Sequence, residues 1–301
     1  MTARLITMVK TMRPPFLLLS PVCIFLACGT AVASGARLDG CLVFLVFFGS
    51  ICAHISVNTF NEYSDYKSGL DTMTRRTPFS GGSGALVENP GALGSVRLLA
   101  YFTLLITIVL GIYFIFLRGW TLLVLLLTGC AIILAYTQVL NRQPWLCLIA
   151  PGLSFGTLYV IGAHKVLSGE YHLLAIYVSF IPFLLVNNLL LLNQYPDADA
   201  DSKVGRRHFP ILYGIAASNR VYCLANLLVL LLLCFGVYFA LLPGTALFAL
   251  VPLSLTLVVT RGIYRYEQKA GKLNPYLGMN VLVCLSVPMV IALALVFSHE
   301  V

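Results

Sequence analysis

The chain has 301 residues, of which 59% are hydrophobic and only 10% are charged. Soluble globular domains carry roughly 25% charged residues, so this composition excludes an ordinary soluble domain. Intrinsic disorder is excluded as well, because disordered segments combine low hydrophobicity with high net charge. The mean hydropathy of +0.93 therefore predicts an all-α polytopic membrane protein.

Nine apolar stretches are long enough to cross a bilayer, which takes about 20 residues of helix. In chain order they are residues 16–35, 41–59, 93–117, 122–140, 145–165, 173–192, 221–242, 246–263 and 277–297. The first stretch lacks a small-residue cleavage site, and eight more follow it, so a removed signal peptide is not expected.

The basic residues predict the orientation of these spans. If the N-terminus is cytoplasmic, 16 of the 19 Lys and Arg residues lie on that side, and Arg37, Arg118 and Lys165 lie on the other. Such an asymmetry follows the positive-inside rule and supports an odd number of spans. The net charge of +8 does not indicate nucleic-acid binding, because no basic stripe with interleaved aromatics lies outside the spans.

The first of two unusual polar segments, residues 58–71, follows the second apolar stretch without a turn signal until Gly69. If the helix continues, Asn61 and Asp65 are four residues apart and share one face. Asp71 follows Gly69, and we expect the chain to fold back there and bring Asp71 towards them.

The second polar segment, residues 193–207, follows the sixth apolar stretch. Asn193, Asp197 and Asp201 are again spaced by four, and Pro196 is expected to kink the helix while leaving this register usable. The two segments match each other at offsets of 132 and 136 residues. We therefore expect one membrane-embedded domain over residues 1–301, built from two related helical halves.

Carboxylates four residues apart on helices that end at a membrane surface are suitable oxygen ligands for Mg²⁺. This ion uses one or two carboxylates, keeps waters, and takes further ligands from substrate phosphates. Nearby cations suit the phosphate oxygens of a lipid diphosphate. The candidates for diphosphate binding are Lys67, Arg75, Arg76, Arg142, Lys203 and Arg206.

A cation transporter is the main alternative from another class. It would carry ionisable residues near the middle of its spans, whereas here the mid-span positions are almost wholly apolar.

The two motifs resemble those of the UbiA superfamily of intramembrane prenyltransferases. The segment from Asn61 through Asp65 to Asp71 is most similar to the 1,4-dihydroxy-2-naphthoate (menaquinone-pathway) branch, and residues 193–206 resemble the second motif of the family. The Arg13-Pro14 pair and residues 75–82 resemble family members too. Three departures are Glu62, where many members have Asp, the run of leucines at 190–192 before Asn193, and residues 141–144, which replace a more basic pair.

The resemblance implies nine transmembrane helices around a central cavity in the cell membrane. It also implies Mg²⁺ as cofactor, and a polyprenyl diphosphate, an aromatic acceptor and membrane lipid as partners, with no nucleic acid and no obligatory protein partner. The implied metal ligands are Asn61, Asp65, Asp71, Asn193, Asp197 and Asp201. Of these, Asp65, Asp197 and Asp201 are the implied catalytic residues.

Ionisation of a prenyl diphosphate leaves an allyl cation, which aromatic faces stabilise. Candidate aromatic walls are Tyr63, Tyr136, Phe155, Tyr159 and Tyr195. A terpene cyclase on the same scaffold is a further alternative, in which the prenyl chain itself captures the cation. Requirement for an added aromatic acceptor distinguishes the transferase from the cyclase.

Overall fold

Long apolar stretches separated by short polar loops produce a helical bundle in this chain. A computed structural model describes residues 1–74, 76–266 and 270–298, and the regular elements in these ranges are all helices. In the first half they are α1 (Thr2–Thr11), α2 (Pro14–Leu17), α3 (Leu19–Ala33), α4 (Gly40–Lys67), α5 (Leu70–Met73), α6 (Ala85–Glu88), α7 (Leu93–Arg118) and α8 (Leu122–Ala135).

The second half continues in the same manner. Its helices are α9 (Pro144–Gly152), α10 (Tyr159–Ser168), α11 (Leu173–Asn193), α12 (Ala198–Lys203), α13 (Phe209–Tyr238), α14 (Leu250–Leu253), α15 (Leu255–Arg265) and α16 (Asn274–Phe297). A π-helical segment, Leu153–Leu158, joins α9 to α10. A non-helical Gly214, with φ of 79°, kinks α13 near its start.

Within the described residues, eight helical segments are long and apolar enough to span a membrane. They are Pro14–Ala33, Gly40–Lys67, Pro90–Arg118, Pro144–Ser168, Leu173–Asn193, Phe209–Tyr238, Gly244–Arg265 and Asn274–Phe297. Each overlaps one predicted stretch. This arrangement is that of an integral multi-pass membrane protein.

The predicted stretch 122–140 differs from the other eight, because its helix α8 ends at Ala135. Fourteen helical residues are about 21 Å long, less than the hydrocarbon core of about 30 Å. Polar residues follow, and the Asn141 side chain donates a hydrogen bond to the carbonyl of Thr137. Such side-chain bonds compete with helix continuation. The count of nine full-length spans is therefore not reproduced in the described residues.

Two helices, α3 and α11, form the centre of the bundle. Helix α3 contacts α4, α10 and α16, and α11 contacts α9, α13 and α16. A glycine permits the close approach of α3 to α16, since a Cβ on Gly29 would lie 2.9 Å from the carbonyl oxygen of Ala292. These contacts hold the ends of α4 and α11, which carry the two acidic motifs, at fixed positions.

Candidate functional site

The first acidic motif lies where α4 ends. Asp65 is buried on the last turns of α4, which stops at Lys67. Gly69 then adopts φ of +76°, a left-handed conformation that glycine takes at little cost. The chain turns back into α5, where Asp71 is buried as well. The expected return of Asp71 towards Asp65 is thus achieved by a glycine turn.

The second motif is not one kinked helix, as the spacing of four had predicted. Helix α11 ends at Asn193, a turn follows, and α12 begins after Asp197. Pro196 has no N–H and disfavours a helical conformation at the residue before it, so the helix ends instead of bending. Asp197 and Asp201 still lie one turn apart, because the Asp201 N–H donates to the Asp197 carbonyl at 2.8 Å.

Arg206 joins the two motifs. Its guanidinium donates to Asp201 Oδ1 at 3.0 Å and also to Asp65 Oδ1, which lies 141 residues away along the chain. Gly205, with φ of +79°, reverses the chain after α12 and directs Arg206 back to these carboxylates. The two acidic segments therefore meet at one end of the bundle, where the mostly buried side chain of Arg206 contacts both.

His208 is a buried neighbour that the sequence pattern did not identify. Its Nε2 lies 2.9 Å from Asp201 Oδ2, so both oxygens of Asp201 have partners. His208 immediately precedes α13 and follows Asp201 by seven residues. No periodic spacing linked it to the carboxylates in the sequence.

A second ion pair lies next to the first motif. Arg13 Nε donates to Glu62 Oε1 at 2.7 Å, and Glu62 also accepts from the N–H of Ser83 at 2.8 Å. Glu62 is fully buried, and Arg13 adopts an unusual positive φ of 54°. The residue that departs from the family pattern therefore fastens the N-terminal segment and the loop at Ser83 to α4.

The loop before α6 lies over the acidic residues. Its Gly81 N–H donates to Asp197 Oδ2 at 3.0 Å. A Cβ on Gly82, whose φ is +70°, would lie 3.1 Å from Asp71 Oδ1 and 3.3 Å from Glu62 Oε1. Glycine is needed here for both its backbone conformation and its close approach to the carboxylates.

The acidic cluster opens into one cavity of about 410 Å³ that extends into the bundle. Asn61, Asn193 and the buried carboxylates line one end, with Arg13 and Arg206. Aliphatic and aromatic side chains line the rest. Three of the predicted aromatic walls, Tyr136, Phe155 and Tyr159, face this cavity.

The remaining predicted aromatics lie elsewhere. The Tyr63 ring contacts Lys67, whose Nζ is 5.5 Å from the ring centroid, and Tyr195 donates to Asn219 Oδ1 at 2.9 Å. Neither tyrosine lines the cavity. His54 does line it, and its Nδ1 lies 2.8 Å from Ser20 Oγ.

Comparison with known proteins identifies the family. The profile of the UbiA prenyltransferase family matches residues 22–283. The chain belongs to this family. It is also 30% identical, over 181 residues, to the 1,4-dihydroxy-2-naphthoate octaprenyltransferase of Bacillus subtilis (strain 168). That match covers 59% of this chain and 57% of the relative, so it spans little more than half of the relative's length.

Solved structures of UbiA proteins share the fold of this chain. A UbiA homologue from Aeropyrum pernix K1, in its apo form, superposes with a TM-score of 0.71 at 17% identity, over 94% of this chain and 98% of that chain. A homologue from Archaeoglobus fulgidus, bound to DMAPP and Mg²⁺, superposes with a TM-score of 0.64 at 14% identity, over 97% and 99%. At these identities the likeness shows the fold.

The donor atoms of this UbiA-family site fit a magnesium ion. Asp71 Oδ2, Asn193 Oδ1 and Asp197 Oδ1 are buried without a hydrogen-bond partner among the described residues, and all three side chains line the cavity. Buried oxygens without partners are costly, and a hard cation would satisfy them. In the described part of the chain, no three Asp, Glu, His or Cys side chains converge on one point. Mg²⁺ needs only one or two carboxylates.

Two carboxyl groups at the acidic end of the cavity, those of Asp71 and Asp197, have raised pKa values. Burial raises the pKa of Asp71 to about 7, with a contribution from the Glu62 and Asp65 carboxylates. Burial likewise raises the pKa of Asp197 to about 6, together with the charge of Asp201 and against the Gly81 N–H. A bound cation would favour the ionised form of both groups.

The predicted diphosphate ligands divide into two groups. Arg206 lines the cavity, whereas Lys67, Arg76, Arg142 and Lys203 are exposed and do not line it. Arg76 lies against the backbone of Gly84. The sixth candidate, Arg75, lies outside the described residues. Arg13, which the sequence analysis considered only for its resemblance to the family, supplies the second guanidinium of the cavity.

Proposed function

We propose that this protein transfers a prenyl group from a polyprenyl diphosphate to an aromatic acceptor, with Mg²⁺ as cofactor and 1,4-dihydroxy-2-naphthoate as the acceptor. The observation that carries the proposal is the division of one cavity into an end of oxygens and guanidinium groups and an apolar, aromatic remainder. The named activity of the B. subtilis relative supports the naphthoate acceptor. The A. fulgidus homologue bound to DMAPP and Mg²⁺ supports the donor and the ion.

The polar end would bind the diphosphate. Asp71, Asn193 and Asp197, with their free oxygens, would hold Mg²⁺, and Asn61, Asp65 and Asp201 complete the proposed ligand set. When bound, the ion supplies positive charge that stabilises the leaving diphosphate.

Among the described residues, Arg206 and Arg13 are the cations placed to act on the diphosphate. Both guanidinium groups are held by buried carboxylates, Arg206 by Asp65 and Asp201 and Arg13 by Glu62. Donors fixed in advance need little reorganisation when charge develops, and they act more strongly away from water. The exposed lysines lack both advantages.

The apolar end would protect the reactive cation. In the reaction, the bond between the prenyl C1 and oxygen breaks, and its electron pair leaves with the diphosphate. The ring of Tyr136 would stabilise the allyl cation, and the rings of Phe155 and Tyr159, farther from the acidic end, would exclude water from the cavity. A ring carbon of the acceptor then forms the new carbon–carbon bond. That carbon releases the group it carried, which is a proton or, at the carboxylate-bearing position, carbon dioxide.

The proposal also covers the domain organisation and the orientation of the site in the membrane. Residues 1–301 act as one domain, the N-terminus is cytoplasmic, and both motifs face the cytoplasm. This orientation needs the short helix α8 to return the chain across the membrane, in addition to the eight long apolar segments. The acidic end would then release the water-soluble diphosphate product into the cytoplasm, while the prenyl chain stays among the helices.

The decisive experiment incubates purified protein with Mg²⁺, labelled polyprenyl diphosphate and 1,4-dihydroxy-2-naphthoate, followed by mass spectrometry of the products. We expect a prenylated naphthoquinol and equimolar diphosphate. Diphosphate release without added acceptor, accompanied by a cyclic hydrocarbon, would show a cyclase instead. Absence of any diphosphate release with every acceptor tested would contradict both enzymes and favour a transporter.

A further inference from the structure

Helix α1, which precedes the first membrane span, turns its apolar face away from the protein. Val9 follows Ile6 by three residues and Leu5 by four, so the three side chains share one face. They are 44%, 52% and 60% exposed, respectively. Thr7 and Thr11 lie on the opposite face and are buried. A helix packed on a soluble domain shows the reverse pattern, with its apolar face towards the core.

Contacts on the inward face hold α1 in this orientation. Asn89 Nδ2 donates a hydrogen bond to Thr7 Oγ1 at 3.1 Å, and Met8 packs against a buried cluster that includes Leu86 and Val96. The helix thereby contacts α6 and α7. A rotation that buried the apolar face would break both contacts.

These neighbours place α1 at the level of the membrane surface, at the acidic end of the bundle. Val96 lies on α7 near the start of the span Pro90–Arg118. Lys10 Nζ lies 2.8 Å from Glu88 Oε2, just before that span begins. At this level a helix is surrounded by phospholipid headgroups and the outer parts of the acyl chains.

The charges of α1 suit the same surroundings. The first acidic residue of the chain is Asp39, so the charged side chains of α1 itself are the exposed Arg4 and Lys10. Phospholipid phosphates carry the opposite charge, whereas the α1 of a second copy would bring the same positive charges against them. An apolar face accompanied by basic residues is typical of helices that lie in the membrane interface.

A short, fixed connection joins α1 to the polar end of the cavity. The helix ends at Thr11, and the carbonyl of the next residue, Met12, accepts a hydrogen bond from Asn58 Nδ2 at 2.9 Å. Arg13 follows, with its guanidinium on Glu62. Two residues of chain span at most about 7 Å, so the position of α1 limits the positions open to Arg13.

We infer that α1 lies in the interfacial layer of the bilayer, with its exposed apolar face among the acyl chains of phospholipid and its two cations at the phosphate groups. This contact with lipid holds Arg13 at the diphosphate end of the cavity. The effect on diphosphate binding rests on the proposed function, whereas the lipid contact itself does not.

Fluorescence quenching tests the lipid contact without reference to activity. Trp120 and Trp145, the two tryptophans of the chain, are replaced by Phe, and Val9→Trp or Ser202→Trp is introduced as the single fluorophore. The protein is reconstituted in vesicles of phosphatidylcholine with brominated acyl chains. We expect most of the emission of the Val9→Trp variant to be quenched and little of that of the Ser202→Trp variant, because Ser202 is exposed on α12, between two spans.

Prenyl transfer assays test the effect on Arg13. Leu5→Gln/Val9→Gln removes the apolar face and introduces a good helix former, and Leu5→Met/Val9→Met is the matched control that keeps the face apolar. We expect the glutamine pair to raise the KM for polyprenyl diphosphate roughly tenfold, the scale of one hydrogen bond to a charged group, and the control to leave it unchanged. In an Arg13→Gln background the glutamine pair should cause no further rise, because both changes act through one contact.

The two measurements separate failure of this inference from failure of the proposed function. Unquenched emission of the Val9→Trp variant overturns the inference, and a smaller particle for Leu5→Gln/Val9→Gln in size-exclusion chromatography would then show that a second copy covers this face. Quenched emission with an unchanged KM in the glutamine pair overturns the effect of α1 on Arg13. Quenched emission in a wild type that transfers no prenyl group contradicts the proposed function and supports the lipid contact.

Discussion

At the residue scale, carboxylates that look equivalent in the sequence have different surroundings. Asp201 has both oxygens engaged, by Arg206 and His208, whereas Asp197 Oδ1 has no hydrogen-bond partner among the described residues. Asp199, between them on the chain, is exposed. We therefore expect three different results from removing three neighbouring carboxylates.

Asp197→Ala should lower activity by about 100-fold or more, as expected when a group that stabilises transition-state charge is lost. Its effect on stability should be limited to the loss of the hydrogen bond from the Gly81 N–H, about 1 kcal/mol. Asp201→Ala should lower activity similarly and also destabilise the protein, because Arg206 and His208 then lose this partner. Asp199→Ala should retain most activity. Initial rates at saturating Mg²⁺ and thermal unfolding in detergent measure these effects. An inactive Asp199→Ala variant beside an active Asp197→Ala variant would contradict the assignment of Asp197 as a metal ligand.

The raised pKa values make Mg²⁺ binding pH-dependent. A carboxyl group must lose its proton to bind the ion, so the apparent affinity should fall as the pH falls through about 7, the pKa of Asp71, and about 6, the pKa of Asp197. With both groups as ligands, the fall from about pH 8 to about pH 5.5 is roughly 100-fold. The half-saturating Mg²⁺ concentration measures it. Asp71→Asn should remove most of this pH dependence, and the control Asp199→Asn should leave it intact. A Mg²⁺ affinity that does not change with pH in the wild type would exclude Asp71 and Asp197 as ligands.

At the element scale, the paired motifs are carried by different backbone structures. The first lies on one helix followed by a glycine turn, and the second lies across a helix end, a turn at Pro196 and a short helix. The same spacing in the sequence therefore corresponds to two different backbone structures. The relation between the two halves stays a prediction.

The π-helical segment packs closely on α11, and a glycine substitution tests this packing. A Cβ on Gly156 would lie 2.3 Å from the backbone N of Phe183, and backbone atoms cannot move as a flexible side chain does. We expect Gly156→Ala to destabilise the protein by about 1–3 kcal/mol, the usual cost of overpacking. Gly94→Ala is the control, because a Cβ there has no neighbour within 4 Å. Equal unfolding temperatures for the two variants would contradict the close packing of this segment on α11.

At the scale of the whole molecule, the bundle places both motifs at one end, as the basic residues had predicted for a single side of the membrane. Arg206 contacts carboxylates from both motifs, so the two segments share that end whichever way the chain is inserted. The direction of insertion itself remains a prediction from the 16 and 3 basic residues.

Cysteine labelling tests that direction. On a background in which the nine native cysteines are replaced, Ser202→Cys and Glu170→Cys occupy exposed positions beyond opposite ends of α11. We expect an impermeant thiol reagent added outside intact cells to label Glu170→Cys and to leave Ser202→Cys unlabelled until the membrane is opened. The reverse pattern would place the N-terminus outside.

Local features of the chain were predictable from the sequence. Runs of apolar residues predicted the membrane class and the approximate place of the eight long spans, and the residues around Gly69 predicted that Asp71 returns towards Asn61 and Asp65. The spacing of four wrongly predicted a continuous helix through Pro196. Spacing indicates which side chains share a helix face, but it does not take into account that proline cannot donate a backbone hydrogen bond. It also overestimated the length of α8, which polar side chains end early.

The sequence by itself determined that this protein is a helical membrane protein with two acidic segments of the UbiA type. Only the tertiary structure decided which cations accompany them: Arg206 and Arg13 line the cavity, while Lys67, Arg142 and Lys203 are exposed. It also decided that His208 contacts Asp201. The physical reason is that hydropathy and helical phase act within one segment, whereas a contact such as Arg206 with Asp65 depends on how helices far apart in the chain pack together.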